Sequence, residues 1–220
     1  LVTTSQSALL ITDVENFTAS NCDFEDYNSN MVYQAGSTNI KFVNCNFKSS
    51  YLANICTTTT SLVKFVNCTF TRGGSIKGRV DFNNCEFINS TELLILGVLG
   101  VGYLVKFSNC IFNYSSLSSM ATRLMSVENI AGVLASAAVE INNCEVVGNP
   151  LNTSGLGFCI SSKFNVVGLK SSGFTGSNFL WFKHSGCVIC TNVVATDTSH
   201  TFLNITSAVS SSFILSNIVS

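Results

Sequence analysis

Apolar and polar positions alternate in short runs along most of the chain, and one eight-residue phrase shows the alternation most clearly. It reads Ile40-Lys-Phe-Val-Asn-Cys-Asn-Phe47, Val63-Lys-Phe-Val-Asn-Cys-Thr-Phe70, Val80-Asp-Phe-Asn-Asn-Cys-Glu-Phe87, Val105-Lys-Phe-Ser-Asn-Cys-Ile-Phe112 and Val139-Glu-Ile-Asn-Asn-Cys-Glu-Val146. Within each copy the period of two that marks a strand is interrupted once, at the Asn. Asn tolerates the left-handed backbone conformation better than most residues, so the phrase predicts two short strands meeting at a sharp corner. Weaker copies stand at Ser20-Asn-Cys-Asp-Phe24, Val166-Val-Gly-Leu169, Cys190-Thr-Asn-Val193 and Leu215-Ser-Asn-Ile218. The residue after the corner falls at 22, 45, 68, 85, 110, 144, 169, 193 and 218, a mean step of about 24.5 residues, within the range of solenoid repeats. A further short strand is predicted ahead of the phrase at Met31 to Gln34, Tyr51 to Cys56, Leu93 to Leu96, Gly157 to Ile160, Phe179 to Phe182 and Phe202 to Ile205. Three strands and three corners make one coil. Parallel coils stacked about 4.8 Å apart form a rod of roughly 40 Å.

Stacking turns each repeat position into a row. Phe42, Phe65, Phe82, Phe107 and Ile141 form one inward row, and Phe24, Phe47, Phe70, Phe87, Phe112 and Val146 another. Between them Cys22, Cys45, Cys68, Cys85, Cys110 and Cys144 form a row of core thiols. Coil spacing holds neighbouring Cβ atoms farther apart than the roughly 3.8 Å a disulfide prefers, so these cysteines are expected to be reduced small hydrophobes. Parallel crossovers are overwhelmingly right-handed. Together these residues resemble the right-handed parallel β-helix of the pectate-lyase-like superfamily, of the kind found in phage tailspikes and surface adhesins. Asn21, Asn44, Asn67, Asn84, Asn109, Asn143, Asn192 and Asn217 correspond to its asparagine ladder. The expected fold is all-β: a single-stranded right-handed parallel β-helix of about eight to nine coils, with three short strands per coil, an inward Cys/Phe core and an Asn ladder. It forms one domain over 1–220, a segment of a longer fibre or spike protein. The 34-residue step from Cys110 to Cys144 is expected to hold an irregular insertion at 113–138, either a short helix through Leu117, Met120, Ala121 and Leu124 or an extra partial coil.

Composition narrows the function classes. Charged residues make up 10% and the net charge is -1, leaving no basic footprint for nucleic acid. The longest apolar run, Leu93 to Val105, is too short for a spanning helix, so no membrane span is expected. Without an initiator Met or a visible signal peptide, the chain reads as an excised piece. Cys187-Val-Ile-Cys190 is half a zinc site with no second CxxC, and no metal or cofactor is expected. Many free thiols suit assembly in a reducing cytoplasm, as for a viral structural protein.

The resemblance implies where catalysis would sit: its lyases carry an acidic calcium cluster with an Arg or Lys base, and its hydrolases carry paired carboxylates, on the outer face of the first sheet. None of the six strands predicted ahead of the phrase contains an acid. The chain is therefore read as a structural segment of a virion or cell-surface fibre that recognises glycan or attaches to a host. The alternative is a depolymerase-type polysaccharide lyase or glycoside hydrolase, whose carboxylates would involve Glu92 or Glu128. Alternation in Phe179 to His184 cannot bury both Leu180/Phe182 and Phe179/Trp181; with Leu180 and Phe182 inside, the glycan-binding candidates on the outer face are Phe179, Trp181 and Lys183, joined by Tyr33 and Tyr51. Exposed aromatics equally suit subunit contacts, so a homotrimer or larger fibre assembly and a cell-surface polysaccharide are the expected partners. The row Lys41, Lys64, Asp81, Lys106 and Glu140 mixes signs and reads as a solvated face. The expected location is a virion surface, tail or fibre, or the extracellular face of a cell.

Overall fold

The structure, a computed structural model, describes residues 9–25, 30–48, 54–57, 62–71, 75–77, 79–88, 93–97, 104–115, 123–129, 138–148, 156–160, 163–172, 178–183, 187–196, 201–206 and 212–219. Every paired strand among them runs parallel to its neighbours. A first sheet holds nine strands: Leu9–Thr12, Asn30–Ala35, Asn54–Thr57, Ser75–Lys77, Leu93–Gly97, Arg123–Asn129, Leu156–Ile160, Asn178–Lys183 and Thr201–Thr206. A second face stacks Thr18–Ser20, Ile40–Val43, Leu62–Val66, Arg79–Asn83, Leu104–Ser108, Ala138–Asn142 and Lys163–Val167. A third stacks Asp23–Glu25, Asn46–Lys48, Thr69–Thr71, Glu86–Ile88, Ile111–Asn113, Glu145–Val147 and Lys170–Ser172. The longer strand Cys187–Ala195 pairs with both faces, and Ser212–Val219 lies on it.

The corner between the second and third faces lies where the phrase predicts it. Asn21, Asn44, Asn67, Asn84, Asn109, Asn143, Asn192 and Asn217 all have positive φ, between 51° and 55°. At the one coil without Asn, Gly168 takes the same conformation with φ of 71°. A side chain there has no room, since a Cβ on Gly168 would lie 2.5 Å from Oδ1 of Asn143. The ladder passes through the corner without a break: the Asn67 N–H donates to the Asn83 carbonyl at 3.0 Å, and the Glu86 N–H to the Cys68 carbonyl at 2.9 Å. Side chains add a second ladder, with Nδ2 of Asn44 donating to Oδ1 of Asn21 and Nδ2 of Asn67 to Oδ1 of Asn44, both at 3.2 Å. A corner so satisfied can be stacked coil on coil without stranding backbone polar groups.

Inside, Phe42, Phe65, Phe82 and Phe107 stack near-parallel with centroids 4.9 to 5.1 Å apart, and Phe24, Phe47, Phe70, Phe87 and Phe112 with centroids 4.8 to 5.1 Å apart. The two stacks meet edge to face, as at Phe65 and Phe70 with centroids 5.2 Å apart. Both geometries are the favourable ones for aromatic quadrupoles. Cys45, Cys68, Cys85, Cys110 and Cys144 are buried free thiols between the stacks, and Cys22 is half-buried. Leu169 and Val193 continue that row, while Cys190 replaces an aromatic in the Phe42 row, next to Val166.

Two features depart from expectation. The first sheet holds a strand beyond the six expected, Arg123–Asn129, which pairs with Leu93–Gly97 and Leu156–Ile160 and brings an acid, Glu128, into that sheet. The unusually long step hid this strand from repeat counting. Leu124, the last member of the amphipathic set, lies in it, while Leu117, Met120 and Ala121 lie outside the described residues. The step from Cys68 to Cys85, only 17 residues long, likewise holds an ordinary strand, Ser75–Lys77, whose Ile76 is buried.

Candidate functional site: a lysine-lined groove at the first corner

A second kind of corner joins the first and second faces in the opening coils. Asp13, Asn16, Gly36 and Asn39 have φ of 53°, 60°, 66° and 54°. Asp13 folds over Gly36 so closely that a Cβ there would lie 2.1 Å from its Oδ1. Nδ2 of Asn39 donates to Oδ1 of Asn16 at 2.8 Å, and the buried Oγ of Ser37 accepts from the Val14 N–H at 2.9 Å. The backbone ladder runs beneath, the Asn16 N–H donating to Thr38 O at 3.1 Å and the Lys41 N–H to Phe17 O at 2.9 Å. Two asparagines at a 23-residue separation thus build a wall, as those of the main ladder do.

Below this wall opens a groove of about 660 Å³. Asn16 and Asn39 form one side with Thr38, and Thr18, Lys41 and Lys64 form the floor, with Ile40 and Leu62 as its apolar patch. The floor residues are successive members of one row, Thr18 beside Lys41 and Lys41 beside Lys64. Both lysines are exposed, and neither has an ion-pair partner among the described residues. Farther along the row Lys106 pairs with Glu140 at 3.6 Å. The groove therefore presents amides, hydroxyls and two ammonium groups, and among the described residues no carboxylate lines it. The row was legible in the sequence as a solvated face. Its wall was not, because Asn16 and Asn39 lie outside the eight-residue phrase.

The aromatic candidates are placed by backbone register. Phe182 shares a row with Leu9, Val32, Ile55, the buried Ile76, Ile95, Val127, Ile160 and Ile205. Trp181 shares the adjacent row with Leu94, Ser126, Cys159 and Asn204. Tyr33 stands in the row of the exposed Leu10, with Cys56, Lys77, Leu96 and Glu128. Tyr33 and Trp181 are therefore in different rows as well as several coils apart. Phe179 and Lys183 lie on the Trp181 strand, while Tyr51 and Glu92 lie outside the described residues.

The thiol row shows no site-like chemistry. Sγ of Cys68 lies 3.4 Å from the Val66 carbonyl, and the other row members make the same contact two residues back at 3.3 to 3.5 Å. Hydrogen bonding to Cys85 and burial hold Cys68 above the ordinary thiol range, and hydrogen bonding to Cys144 and burial do the same for Cys110. The same S–H donors pull Cys85 down, against its burial. Burial alone pushes Cys190 up to about 12. Among the described residues no cluster of three or more His, Cys, Asp or Glu could hold a metal ion, and no helix is long and apolar enough to cross a membrane.

No curated protein matches the chain. The family model described as right handed beta helix region matches residues 7–179, most of the chain and all but the last two of the nine copies of the phrase. Parallel faces, the asparagine corner and the stacked Phe/Cys core meet in the same span, and the chain belongs to the right-handed β-helix family.

Proposed function

We propose that the chain is a non-catalytic β-helix segment of an elongated virion or cell-surface fibre, and that it attaches by binding glycan. The observation that carries this is the groove at the first corner, where Asn16, Asn39, Thr18, Thr38, Lys41 and Lys64 offer fixed polar groups on a rigid stack. Sugars present many hydroxyls in fixed directions, and a site for them needs donors and acceptors held by elements that do not move. The strand Asn178–Lys183, with Phe179, Trp181 and Lys183, is a second contact surface in this proposal, for glycan or for the neighbouring subunits of a homotrimer.

The test is to incubate the purified chain with a panel of neutral and acidic polysaccharides. Bound mass, polysaccharide length and the oligomeric state by light scattering are followed in the same samples. Binding without shortening is the expected result. Shortening would make the chain a depolymerase and direct attention to Glu92 and Glu128. A stable trimer that binds nothing would leave a purely structural rod.

A further inference from the structure

We infer that the groove clamps a single dianionic group, the phosphate monoester of a phosphorylated sugar, between Lys41 and Lys64. This rests on the glycan-binding function proposed above and names its ligand chemistry.

Like charges directly opposite one another on neighbouring strands destabilise a sheet. Lys41 and Lys64 are such a pair, in register at a strand spacing of about 4.8 Å; Asp81 follows Lys64 in the row, but neither lysine forms an ion pair among the described residues. Farther along the row no such pair arises, because Lys106 lies in register between Asp81 and Glu140 and pairs with Glu140 at 3.6 Å. A repulsive pair at the floor of a groove is relieved when an anion sits between the two ammonium groups. The extent of the positive stretch sets the size of that anion. Thr18 precedes it and Asp81 follows it in the row, so a polyanion laid along the rod would meet Asp81 and then Glu140. One compact group fits, and its matching charge is two.

A phosphate monoester carries about −1.5 to −2 at pH 7 and offers three strong acceptor oxygens. Lysine binds phosphate as a point charge and needs no forked geometry. The wall supplies further donors: the ladder bond occupies Oδ1 of Asn16 and leaves its NH₂ free to donate, and the hydroxyls of Thr18 and Thr38 complete the polar rim. Leu62 gives the sugar ring an apolar edge to lie against.

The experiment is calorimetric titration of the full chain with glucose 6-phosphate, inorganic phosphate, glucuronate and glucose, at pH 5 and pH 7. Glucose 6-phosphate is expected to bind tightest, and more tightly at pH 7 than at pH 5, because its second ionisation falls near 6. Lys41→Gln and Lys64→Gln are each expected to weaken it about tenfold, the size of one charged hydrogen bond, while Lys106→Gln leaves it unchanged. Unchanged thermal melting of the variants separates lost binding from lost folding. Glucuronate binding as tightly as the sugar phosphate, affinity that ignores pH, or affinity that survives both lysine variants would each overturn the inference. Inorganic phosphate binding as tightly as the sugar phosphate would assign the site to the free anion and overturn the sugar half. Polysaccharide binding that persists in the double lysine variant would overturn this site while leaving the glycan-binding function standing.

Discussion

At Asn67 the backbone turns with φ of 54°, and Nδ2 of the same residue donates to Oδ1 of Asn44 in the coil before. Two separate physical demands meet on one side chain. The left-handed conformation costs an ordinary residue roughly 1–2 kcal/mol, and a lost hydrogen bond adds about 1 kcal/mol. Asn67→Ala is therefore expected to destabilise by about 2–3 kcal/mol, whereas Asn67→Gly avoids the conformational strain but loses the bond and adds the entropy cost of glycine's greater unfolded-state freedom, a smaller total. Urea denaturation of the two variants checks the order, and an equal loss would mean that the conformational demand is negligible. The chain already makes the glycine choice once, at Gly168, where the Oδ1 of Asn143 fills the space a Cβ would need. Cys190 gives the residue scale a pH dependence. Its thiol is pushed up to about 12 by burial, so the folded state holds the proton more tightly than the unfolded state, with its ordinary value of 9.0. The associated stability is fully present below about pH 9 and is lost as the pH rises towards about 12. Cys190→Ala should flatten that part of the stability profile measured by denaturation between pH 8 and 12. An unchanged slope would show that other groups carry the alkaline loss.

At the scale of the strand, the phrase encodes its own neighbours. Phe82 lies between Phe65 and Phe107 at 5.1 Å on either side and meets Phe70 and Phe87 edge to face. It is fully buried, so Phe82→Ala is expected to cost about 3–5 kcal/mol. Phe24, half-buried, should cost distinctly less, and thermal melting of the pair tests whether depth in the stack sets the price. These rows were legible because a single Phe every coil has only one place to go once the period is known. The groove was legible only in part. The Lys41 and Lys64 row follows from the phrase, but Asn16 and Asn39 lie outside it, so counting repeats could not find their corner. The strand Arg123–Asn129 that carries Glu128 was missed for a related reason: the phrase fixes the second and third strands of each coil, while the first is tied to it only through loops of varying length. Where loop length varies, as between Cys110 and Cys144, sequence period carries no register, and only pairing with Leu93–Gly97 and Leu156–Ile160 places the strand.

For the molecule as a whole, each coil touches only the coils beside it, so stability is close to a sum of coil and nearest-neighbour contributions. The thiols make that summation measurable, because Cys45, Cys68, Cys85, Cys110 and Cys144 place one buried probe in each of five successive coils. Each is 1 to 2% exposed, while Cys22 is half-buried. Alkylation of the native chain, read peptide by peptide, should therefore modify Cys22 and leave those five unreacted. Added urea below the unfolding midpoint opens the stack locally, and reaction then follows the free energy of opening at each coil. Thiols near the middle of the aromatic stack, Cys68 and Cys85, lie between Phe neighbours on both sides and should react last. Cys144 adjoins Ile141 and Val146 where the earlier coils have Phe, so the edge-to-face contacts end there and its protection should fall earlier. The order Cys22, then Cys144, then Cys68 and Cys85 would show that the rings, rather than the asparagine corner common to all these coils, set local stability. Simultaneous reaction of all the buried thiols would instead show that the corner ladder binds the stack into one cooperative unit.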